Sequence, residues 1–427
     1  MAVRTLDPAR TATPFEATLA QALFDGLYEV RPEGGVAPVL AAGPPEVEGT
    51  VARIRLRPGI RHHGGRPLEA EDVVDSLTRV ASVPEARWLL GAFATENGAP
   101  QIRAVDAETI EIGLARHGVR ADLILASAPF AILAGGRPGR RPLGTGPFRA
   151  RLDGRGGVDL HLWRHAADRP PWLDHVRFEP PQPRDDEVRA FELGRLDGSW
   201  WGRSLYGGEP VRPAQTTGTA AATPVLLVPR RAGALRSDAA WGGVVASIDR
   251  ARLERVGLVP RRSLGAGLPP PDLPRGRARR GTSLRMIVRA GRARALRLAE
   301  AIAGMLDERG VRLQVQRMSD ARYAAALRRG AWNLRLAFVR PPLPGRGAVA
   351  GAALAAAGQP GRARDLVPSL GDRAVAARTA RQLDAMVLGH ERIVLHHRAD
   401  LRGVRFDFLG RLGLAELSFA RPEEPLR

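Results

Sequence analysis

The sequence predicts an α/β protein, and three observations lead to that prediction. Residues 284–288, 295–309 and 311–315 show the pattern of an apolar strand, an amphipathic helix and a second strand. A βαβ unit of this kind places its two strands parallel in one sheet. Earlier parts of the chain alternate short apolar stretches with turn residues. Finally, 44% of the 427 residues are hydrophobic and 26% are charged, which is enough apolar surface for a packed core.

The first third of the chain predicts helices and short strands. Leu19, Leu23 and Leu27 recur at helical spacing, so we expect a helix over residues 18–28 with Gly26 near its end. A further helix should begin after Pro67, where three acidic residues fall in the first turn and favour the positive end of the helix dipole. Alternating patterns predict strands at residues 51–56, 102–114 (a pair), 159–163 and 175–179.

The middle and the end of the chain are less regular. Residues 188–193 predict a helix, and residues 224–228 predict a fully apolar strand. Segments rich in glycine and proline predict a connector over residues 207–223 and a surface loop over residues 258–281. The remaining expected elements are a helix at 321–328, a strand at 334–339 and two strand-like stretches after residue 393, the second reading Gly-Val-Arg-Phe-Asp-Phe.

The composition excludes several classes of function. The chain has no cysteine, which excludes disulfides, thiolate zinc sites and cysteine nucleophiles. All 65 basic residues are arginine, so a Walker A loop and a Schiff-base lysine are absent as well. No apolar run approaches the roughly 20 residues of a membrane-spanning helix. No export signal follows Met1, so we expect either a cytoplasmic chain or a signal that has been removed.

A series of short motifs then stands in a fixed order. The motifs are LDP (6–8), LFDGLY (23–28), PVLA (38–41), LRPGI (56–60), Gly65 with AEDVV (70–74), GTGPF (144–148), FELGRLD (191–197) and IDR (248–250). Together they resemble the extracellular solute-binding proteins of family 5, the peptide and nickel receptors of ABC importers. Their glycines are expected to shape turns, and we expect positive φ at Gly144 and Gly146.

The resemblance implies a fold, a mechanism and partners. The fold would be a two-lobed, periplasmic-binding-protein-like α/β fold of the large, three-subdomain type, with a hinge cleft that closes on the ligand. Lobe I would comprise residues 1–224 with 391–427, and lobe II residues 225–390. The protein would be a monomer that presents its solute to an ABC permease in the periplasm or another extracytoplasmic space. It would need no cofactor, no metal and no catalytic residue, and we expect no nucleic-acid partner.

The resemblance also selects candidate ligand contacts. Thr11, Thr13 and Phe15 match the family's ligand-approaching loop near the N-terminus, for which the alternative is a plain surface loop. Trp200 and Trp201 follow the FELGRLD helix end and could line the cleft, although tryptophan pairs also fill cores.

Arg340 ends the strand expected at 334–339 and is the sixth candidate contact. Peptide-binding members of the family carry an aspartate in the next segment, where it pairs with the ligand's amino group. Here residues 340–346 read Arg-Pro-Pro-Leu-Pro-Gly-Arg, without a carboxylate. A cationic amine would therefore meet like charge. This departure argues against ordinary peptide binding and favours an anionic or neutral ligand, or a receptor that has lost binding. We expect a small solute that is peptide-like or anionic, and for Arg340 the alternative is a solvated surface arginine.

Two other functions remain open at this point. A degenerate member of the family could serve as a scaffold or interaction module. Residues 275–297 contain nine arginines and no acidic residue, which suits a nucleic-acid backbone, but no stacking aromatics interleave them. His62 and His63 are expected to be structural. The spacing from His390 to His396 and His397 does not match a metalloprotease motif, and the stretch looks like strand.

Overall fold

The structure is a computed structural model of the chain. It describes residues 3, 5–11, 13–31, 34–135, 143–164, 170–180, 182–205, 212–219 and 223–420. The chain forms two compact units: unit 1 comprises Met1–Ala221 with Ile393–Arg427, and unit 2 comprises Ala222–Arg392. No helix in the described ranges is both long enough and apolar enough to span a membrane.

The helices and strands are as follows. The helices are α1 (Pro14–Leu23), α2 (Ala70–Thr78), α3 (Ala121–Leu125), α4 (Arg184–Glu192), α5 (Asp238–Ser247), α6 (Arg250–Glu254), α7 (Ala293–Asp307), α8 (Asp320–Arg329), α9 (Arg346–Ala356), α10 (Pro360–Leu366) and α11 (Arg373–Arg381). The strands are β1 (Tyr28–Val30), β2 (Val36–Pro38), β3 (Glu46–Glu48), β4 (Val51–Arg55), β5 (Thr95–Glu96), β6 (Ala99–Pro100), β7 (Ile102–Ala104), β8 (Thr109–Gly113), β9 (Phe148–Leu152), β10 (Val158–Leu162), β11 (His175–Phe178), β12 (Gly198–Ser199), β13 (Ala214–Gly218), β14 (Thr223–Pro229), β15 (Leu258–Val259), β16 (Ser283–Arg289), β17 (Arg312–Met318), β18 (Leu334–Phe338), β19 (Met386–Glu391), β20 (Val394–Arg398), β21 (Leu401–Arg402) and β22 (Ser418–Phe419).

Unit 1 is built from small antiparallel sheets. The larger ones have the strand orders β3-β4-β8-β7, β11-β10-β9 and β12-β20-β13. In β4 the alternate residues Ala52 and Ile54 are buried, as the sequence pattern predicts for a strand with one solvated face. Its apolar core joins α1 with β9, β10 and the C-terminal segment, where Leu395, Leu401 and Leu412 are buried. The last 28 described residues are therefore part of unit 1.

The structure corrects four expectations in unit 1. The first helix spans Pro14–Leu23 rather than 18–28, because Thr13 caps it and the backbone at Phe24 is extended. The helix expected at 188–193 begins earlier, at Arg184. The connector expected at 207–223 contains β13, which pairs with β20; residues 207–211 and 220–222 lie outside the described residues. The expected strand around Phe406 is instead a single bridge to Leu412.

Unit 2 contains one six-stranded sheet with the order β15-β19-β14-β18-β16-β17. Strands β16 and β17 are parallel and connected through α7, which confirms the βαβ unit. Gly310 has φ +75° just after α7, the left-handed conformation that ends a helix. A large core on one face of the sheet packs β14, β16, β18 and β19 against α5, α6 and α7.

The surface loop expected over residues 258–281 is only partly a surface loop. It begins with β15, which pairs with β19, and Leu264 and Leu268 are buried. In its later part the main chain contacts the main chain of α5 directly. A Cβ atom on Gly242 would lie only 2.4 Å from the carbonyl carbon of Arg275. A low-periodicity sequence conceals such contacts, since they involve main chain rather than side chains.

Candidate functional site

A buried ion pair fixes the N-terminal LDP motif. Asp7 is 2% exposed, and its Oδ1 accepts hydrogen bonds from an Arg79 guanidinium nitrogen at 2.7 Å and from the main-chain N–H of Ala9 at 2.9 Å. Arg79 is also almost fully buried. The other oxygen of Asp7 lies 3.4 Å from Nε of the half-exposed Arg10. Removing Asp7 would leave the Arg79 charge in a low-dielectric site, so this carboxylate holds the start of the chain in one position.

The three candidate residues of the N-terminal loop have different roles. Thr13 is the N-cap of α1: its hydroxyl accepts from the N–H of Glu16, and the Glu16 carboxylate accepts from the N–H of Thr13. Phe15 is 4% exposed and packs edge-on against Phe178, with the ring centroids 4.9 Å apart. Thr11 is half-buried and donates to the carbonyl of Pro8 at 3.4 Å. Phe15 therefore belongs to the core, and Thr11 retains exposed surface; Ala12 lies outside the described residues.

The GTGPF turn is joined to the end of α1 by backbone contacts. A Cβ atom on Gly144 would lie 2.0 Å from the carbonyl oxygen of Leu23, and one on Gly146 would lie 2.6 Å from the carbonyl carbon of Leu23. Neither glycine has a positive φ, so the expectation of left-handed backbone here is wrong. Glycine is required because the two main chains approach too closely for any side chain.

His63 holds the same turn from the other side. Its Nδ1 accepts from the N–H of Gly144 at 3.2 Å, so its Nε2 must carry the proton that it donates to the carbonyl of Gly146 at 2.9 Å. The ring also lies edge-on to Trp163. His63 is thus structural, as the sequence predicted, and three motifs far apart in sequence meet in one place.

Asp25 adds a titratable group beside this turn. Its Oδ2 accepts from the Thr145 hydroxyl at 3.0 Å, and Thr145 is 3% exposed. Burial raises the pKa of Asp25 to about 6; the Thr145 hydrogen bond opposes this shift, and the negative charge of Glu29 adds to it.

A buried carboxylate organises the Trp200–Trp201 segment. Glu187 on α4 is 8% exposed, and its Oε1 accepts from the Ser199 hydroxyl at 3.1 Å and from the main-chain N–H of Trp200 at 2.7 Å. Ser199 is fully buried, and its oxygen accepts in turn from the N–H of Trp201 at 3.2 Å. The two tryptophans are therefore held by specific hydrogen bonds and not only by packing.

The two tryptophans lie in different surroundings. Trp200 packs against the core of unit 1, and its ring centroid is 6.2 Å from that of Phe406. Trp201 is half-buried and is absent from that core cluster. Trp200 is therefore a core residue, whereas part of Trp201 remains exposed to solvent.

The neighbouring sheet β12-β20-β13 carries His396 and His397. The His396 ring pairs with the Thr216 hydroxyl at 2.9 Å and the His397 ring with the Thr217 hydroxyl at 3.0 Å. Burial lowers the pKa of both histidines. Both lie on β20, so the strand expected there is confirmed. In the described part of the chain, no three histidine, aspartate or glutamate side chains are grouped so that they could hold a metal ion.

In unit 2, Arg340 follows β18 at the carboxyl edge of the sheet. Strand β16 is parallel to β18. Strand β14 lies between β18 and β19 and is antiparallel to both, so β18 and β19 are parallel to each other. The strands β16, β18 and β19 therefore all end at this edge. In open α/β sheets this is the edge at which ligands bind. Arg340 is half-buried.

Several arginines lie at the same edge among the described residues. Arg289 pairs with Asp320 at 3.0 Å, and Arg294 pairs with Glu391 at 2.9 Å. The guanidinium carbon of Arg292 lies 5.0 Å from the centroid of the Phe338 ring, and Arg340 follows the same strand as Phe338. The carboxyl edge of this sheet therefore favours an anionic group.

The nine arginines of residues 275–297 do not form one surface. Four of them at 275–280 precede β16, Arg285 lies on the strand, and four at 289–297 end or follow it. A seven-residue strand is about 20 Å long, so the strand separates the two groups. Arg289 and Arg294 are moreover in ion pairs. The distribution does not give the continuous basic patch that a nucleic-acid backbone requires.

The sequence analysis did not predict the hydrogen bonds of Glu187 or the ion pair between Arg294 and Glu391. Glu187 lies among other acidic residues at the start of α4, where acids usually interact with the helix dipole in solvent. Its partner Ser199 is twelve residues away, and Glu391 is 97 residues from Arg294. No local pattern distinguishes such residues from surface charges.

A known protein family matches part of the N-terminal half of the chain. Residues 35–204 match the middle region of the bacterial extracellular solute-binding proteins, family 5. The match contains most of the motifs listed for the resemblance, from PVLA to FELGRLD. The matched family consists of binding proteins.

Among curated proteins, the HTH-type transcriptional regulator SgrR of Salmonella typhimurium LT2 is 31% identical over 142 residues, which are 32% of this chain. The same protein of Salmonella choleraesuis matches equally. The match spans about a quarter of the length of these regulators, 24%.

Two solved structures show the fold over nearly the whole chain. The pheromone receptor PrgZ has a TM-score of 0.78 and 16% identity, covering 99% of this chain and 98% of the receptor. A dipeptide-binding protein of Pseudoalteromonas sp. SM9913, in complex with Met-Leu, has a TM-score of 0.77 and 13% identity, covering 98% of both chains. The resemblance to the family-5 solute-binding proteins is thus confirmed, and the chain has the fold of the two-lobed periplasmic binding proteins.

Proposed function

We propose that this protein is the solute-binding receptor of an ABC importer and captures a small peptide-like or anionic solute outside the cytoplasm. The observation that carries the proposal is the match of residues 35–204 to a family of extracellular solute-binding proteins, on a chain that shares the fold of peptide-binding proteins almost end to end. The protein would bind its solute without transforming it, and an ABC permease would be its partner.

The proposed solute class rests on the carboxyl edge of the sheet in unit 2. Arg289, Arg292, Arg294 and Arg340 lie at that edge among the described residues, two of them in ion pairs with Asp320 and Glu391. An arginine fork binds carboxylate or phosphate oxygens in a bidentate manner, which a lysine cannot do. We therefore assign Arg340 to the anionic group of the solute.

In unit 1 we propose Thr11 and Trp201 as solute contacts, because both retain exposed surface. Thr13 caps α1, Phe15 fills the core and Trp200 packs against the core, so these three would support the site from beneath. Contacts made only in the liganded conformation shift the population toward that conformation, which the permease would recognise.

Thermal unfolding with a solute panel tests the proposal. The panel holds di- to pentapeptides, acidic metabolites, sugars and Ni²⁺ chelates. A ligand at 100 times its Kd adds about 2.7 kcal/mol of stability. We expect a saturable shift with one peptide-like or anionic class and none with neutral sugars. A folded protein that responds to no class would contradict solute binding and favour the scaffold alternative.

A matched pair of variants tests the assignment of Arg340. Arg340→Gln removes one charged donor group and should raise the Kd of the anionic solute about 10- to 100-fold, the usual worth of a hydrogen bond to a charged group. Arg285→Gln makes the same change at an exposed position on β16 and should leave the Kd unchanged. Equal effects of the two substitutions would overturn the assignment.

The similarity to SgrR favours a second candidate, in which solute binding by the same fold controls transcription rather than import. Uptake of the labelled solute by a strain that lacks the gene separates the two. Loss of uptake indicates an importer receptor. Unchanged uptake with altered transcription indicates a sensor.

A further inference from the structure

The strongest unassigned feature of the described residues is the carboxylate of Glu187. It is 8% exposed, lies on α4 and has no cationic side chain within ion-pair distance in the described part of the chain. A buried charge without a counterion is retained only where hydrogen bonds compensate the loss of water. Here the compensating donors are the Ser199 hydroxyl and the N–H of Trp200.

We propose that Glu187 is a positioning residue for solute binding: acting through Ser199, its carboxylate fixes the orientation of Trp201, an aromatic surface of the solute site. Glu187 does not itself touch the solute in this proposal. The assignment of Trp201 to the solute rests on the proposed function, whereas the positioning of Trp201 by Glu187 can be tested without any solute.

The polarity of the hydrogen bonds supports this order of action. A serine hydroxyl has one proton and two lone pairs. The carboxylate can only accept, so the Ser199 proton must point to Glu187 Oε1. The lone pairs of Ser199 then face the N–H of Trp201 at 3.2 Å. The carboxylate thus fixes the orientation of the Ser199 hydroxyl, and the hydroxyl oxygen fixes the position of the main-chain N–H of Trp201.

Two anchors restrict the segment further. The same carboxylate oxygen accepts the N–H of Trp200 at 2.7 Å, and the Trp200 ring packs on the core beside Phe406. On the other side, Ser199 pairs with His396 in the sheet. With its two preceding residues fixed, Trp201 has little backbone freedom, and a pre-organised ring loses less entropy when it binds a solute.

The test uses the full chain labelled with 5-fluorotryptophan. The seven ¹⁹F resonances are assigned by single Trp→Phe variants, and three variants of the network are compared with a control. Glu187→Ala and Ser199→Ala each break the connection to Trp201. Glu187→Gln keeps an oxygen that can accept both hydrogen bonds. Asp186→Asn neutralises an exposed acid on the same helix and is the control.

We expect the Trp201 resonance to shift or broaden in Glu187→Ala and in Ser199→Ala, and to stay in place in Glu187→Gln and in Asp186→Asn. Acrylamide should quench Trp201 more in the two alanine variants. Ser199→Ala keeps the test decisive if Glu187→Ala fails to fold. A Trp201 resonance that is unmoved in the alanine variants, or moved as far by Asp186→Asn, overturns the inference.

A second readout separates positioning from stability alone. With the solute that shifts the wild type in the thermal panel, the Kd should rise in the alanine variants and return to the wild-type value in Glu187→Gln. Unchanged Kd values with a displaced Trp201 would refute the link to solute binding while leaving the positioning intact. If no solute shifts the wild type, the proposed function fails, and the ¹⁹F result still decides the positioning.

Discussion

Replacing Asp25 with asparagine should stabilise unit 1 at neutral pH. The Asp25 carboxylate lies beside the GTGPF turn, where burial raises its pKa to about 6 from an ordinary value of 3.8. The folded state therefore pays a desolvation cost whenever the group is ionised. Asparagine keeps an oxygen that can accept from the Thr145 hydroxyl, so the contact seen at 3.0 Å can be retained.

The magnitude follows from linkage. The folded state binds the proton more tightly than the unfolded chain, so the contribution of Asp25 to stability is complete below pH 3.8 and is lost as the pH rises to about 6. A shift of about two units corresponds to at most about 3 kcal/mol at pH 7. Because the side chain is only half-buried, we expect a gain of about 1–2 kcal/mol for Asp25→Asn after solvent screening.

Urea unfolding at pH 7 and pH 4 measures this gain. Five of the seven tryptophans lie in unit 1, so tryptophan fluorescence mainly follows that unit. Near pH 4 most of the gain should disappear, because Asp25 is then protonated in the folded state and close to half protonated in the unfolded chain. Asp75→Asn is the matched control at an exposed position of α2, and its effect should not depend on pH in this way.

Two results would refute this reasoning. If Asp25→Asn destabilised unit 1 at pH 7, the carboxylate charge would be part of a favourable interaction. If the gain were equal at both pH values, it would come from packing or from the unfolded state rather than from a displaced proton equilibrium.

Three further predictions concern stability. Gly144→Ala should lower the free energy of unfolding by more than about 3 kcal/mol, because its Cβ atom would lie 2.0 Å from the carbonyl oxygen of Leu23. The control Gly65→Ala, at φ +85° with no atom within 4 Å, should lower it by about 1–2 kcal/mol, and a smaller loss for Gly144→Ala than for this control in urea unfolding would argue against the close approach. Arg79→Leu should destabilise unit 1 by about 1–3 kcal/mol, because Asp7 loses its buried partner and keeps only the half-exposed Arg10 at 3.4 Å; an unchanged stability would contradict this. Burial lowers the pKa of His390, so its contribution to the stability of unit 2 is complete above pH 6.5 and falls as the pH drops. His390→Gln should therefore reduce the loss of unfolding free energy between pH 7 and pH 5, and an unchanged pH dependence would show that another group titrates.

The sequence predicted the fold well where the pattern was local. The βαβ unit around α7, the alternating strand β4 and the acidic start of α2 all agree with the structure, because hydrophobic period and the attraction of acidic residues to a helix N-terminus act over a few positions. The ordered motifs also predicted the family that residues 35–204 match.

The sequence could not predict features that depend on distant backbone. Gly144 and Gly146 were expected to need positive φ, yet they are required by contact with Leu23, some 120 positions away. The burial of Phe15 depends on a distant residue as well. Its ring packs against Phe178 on β11, and no local sequence pattern connects these two positions. Glu187 remained unnoticed because its environment is created by α4 packing on β12, not by its neighbours in sequence.

Equilibrium dialysis against a small-molecule extract, read by mass spectrometry, tests the central claim most directly. Wild-type protein and the Arg340→Gln and Arg285→Gln variants are dialysed against the same mixture of peptides and metabolites below about 1 kDa, a size suited to a ligand cavity. The account predicts that the wild type and Arg285→Gln enrich one peptide-like or anionic class, and that Arg340→Gln loses most of this enrichment. Wild-type protein that is folded and enriches no compound would contradict the claim that the chain is a solute-binding receptor.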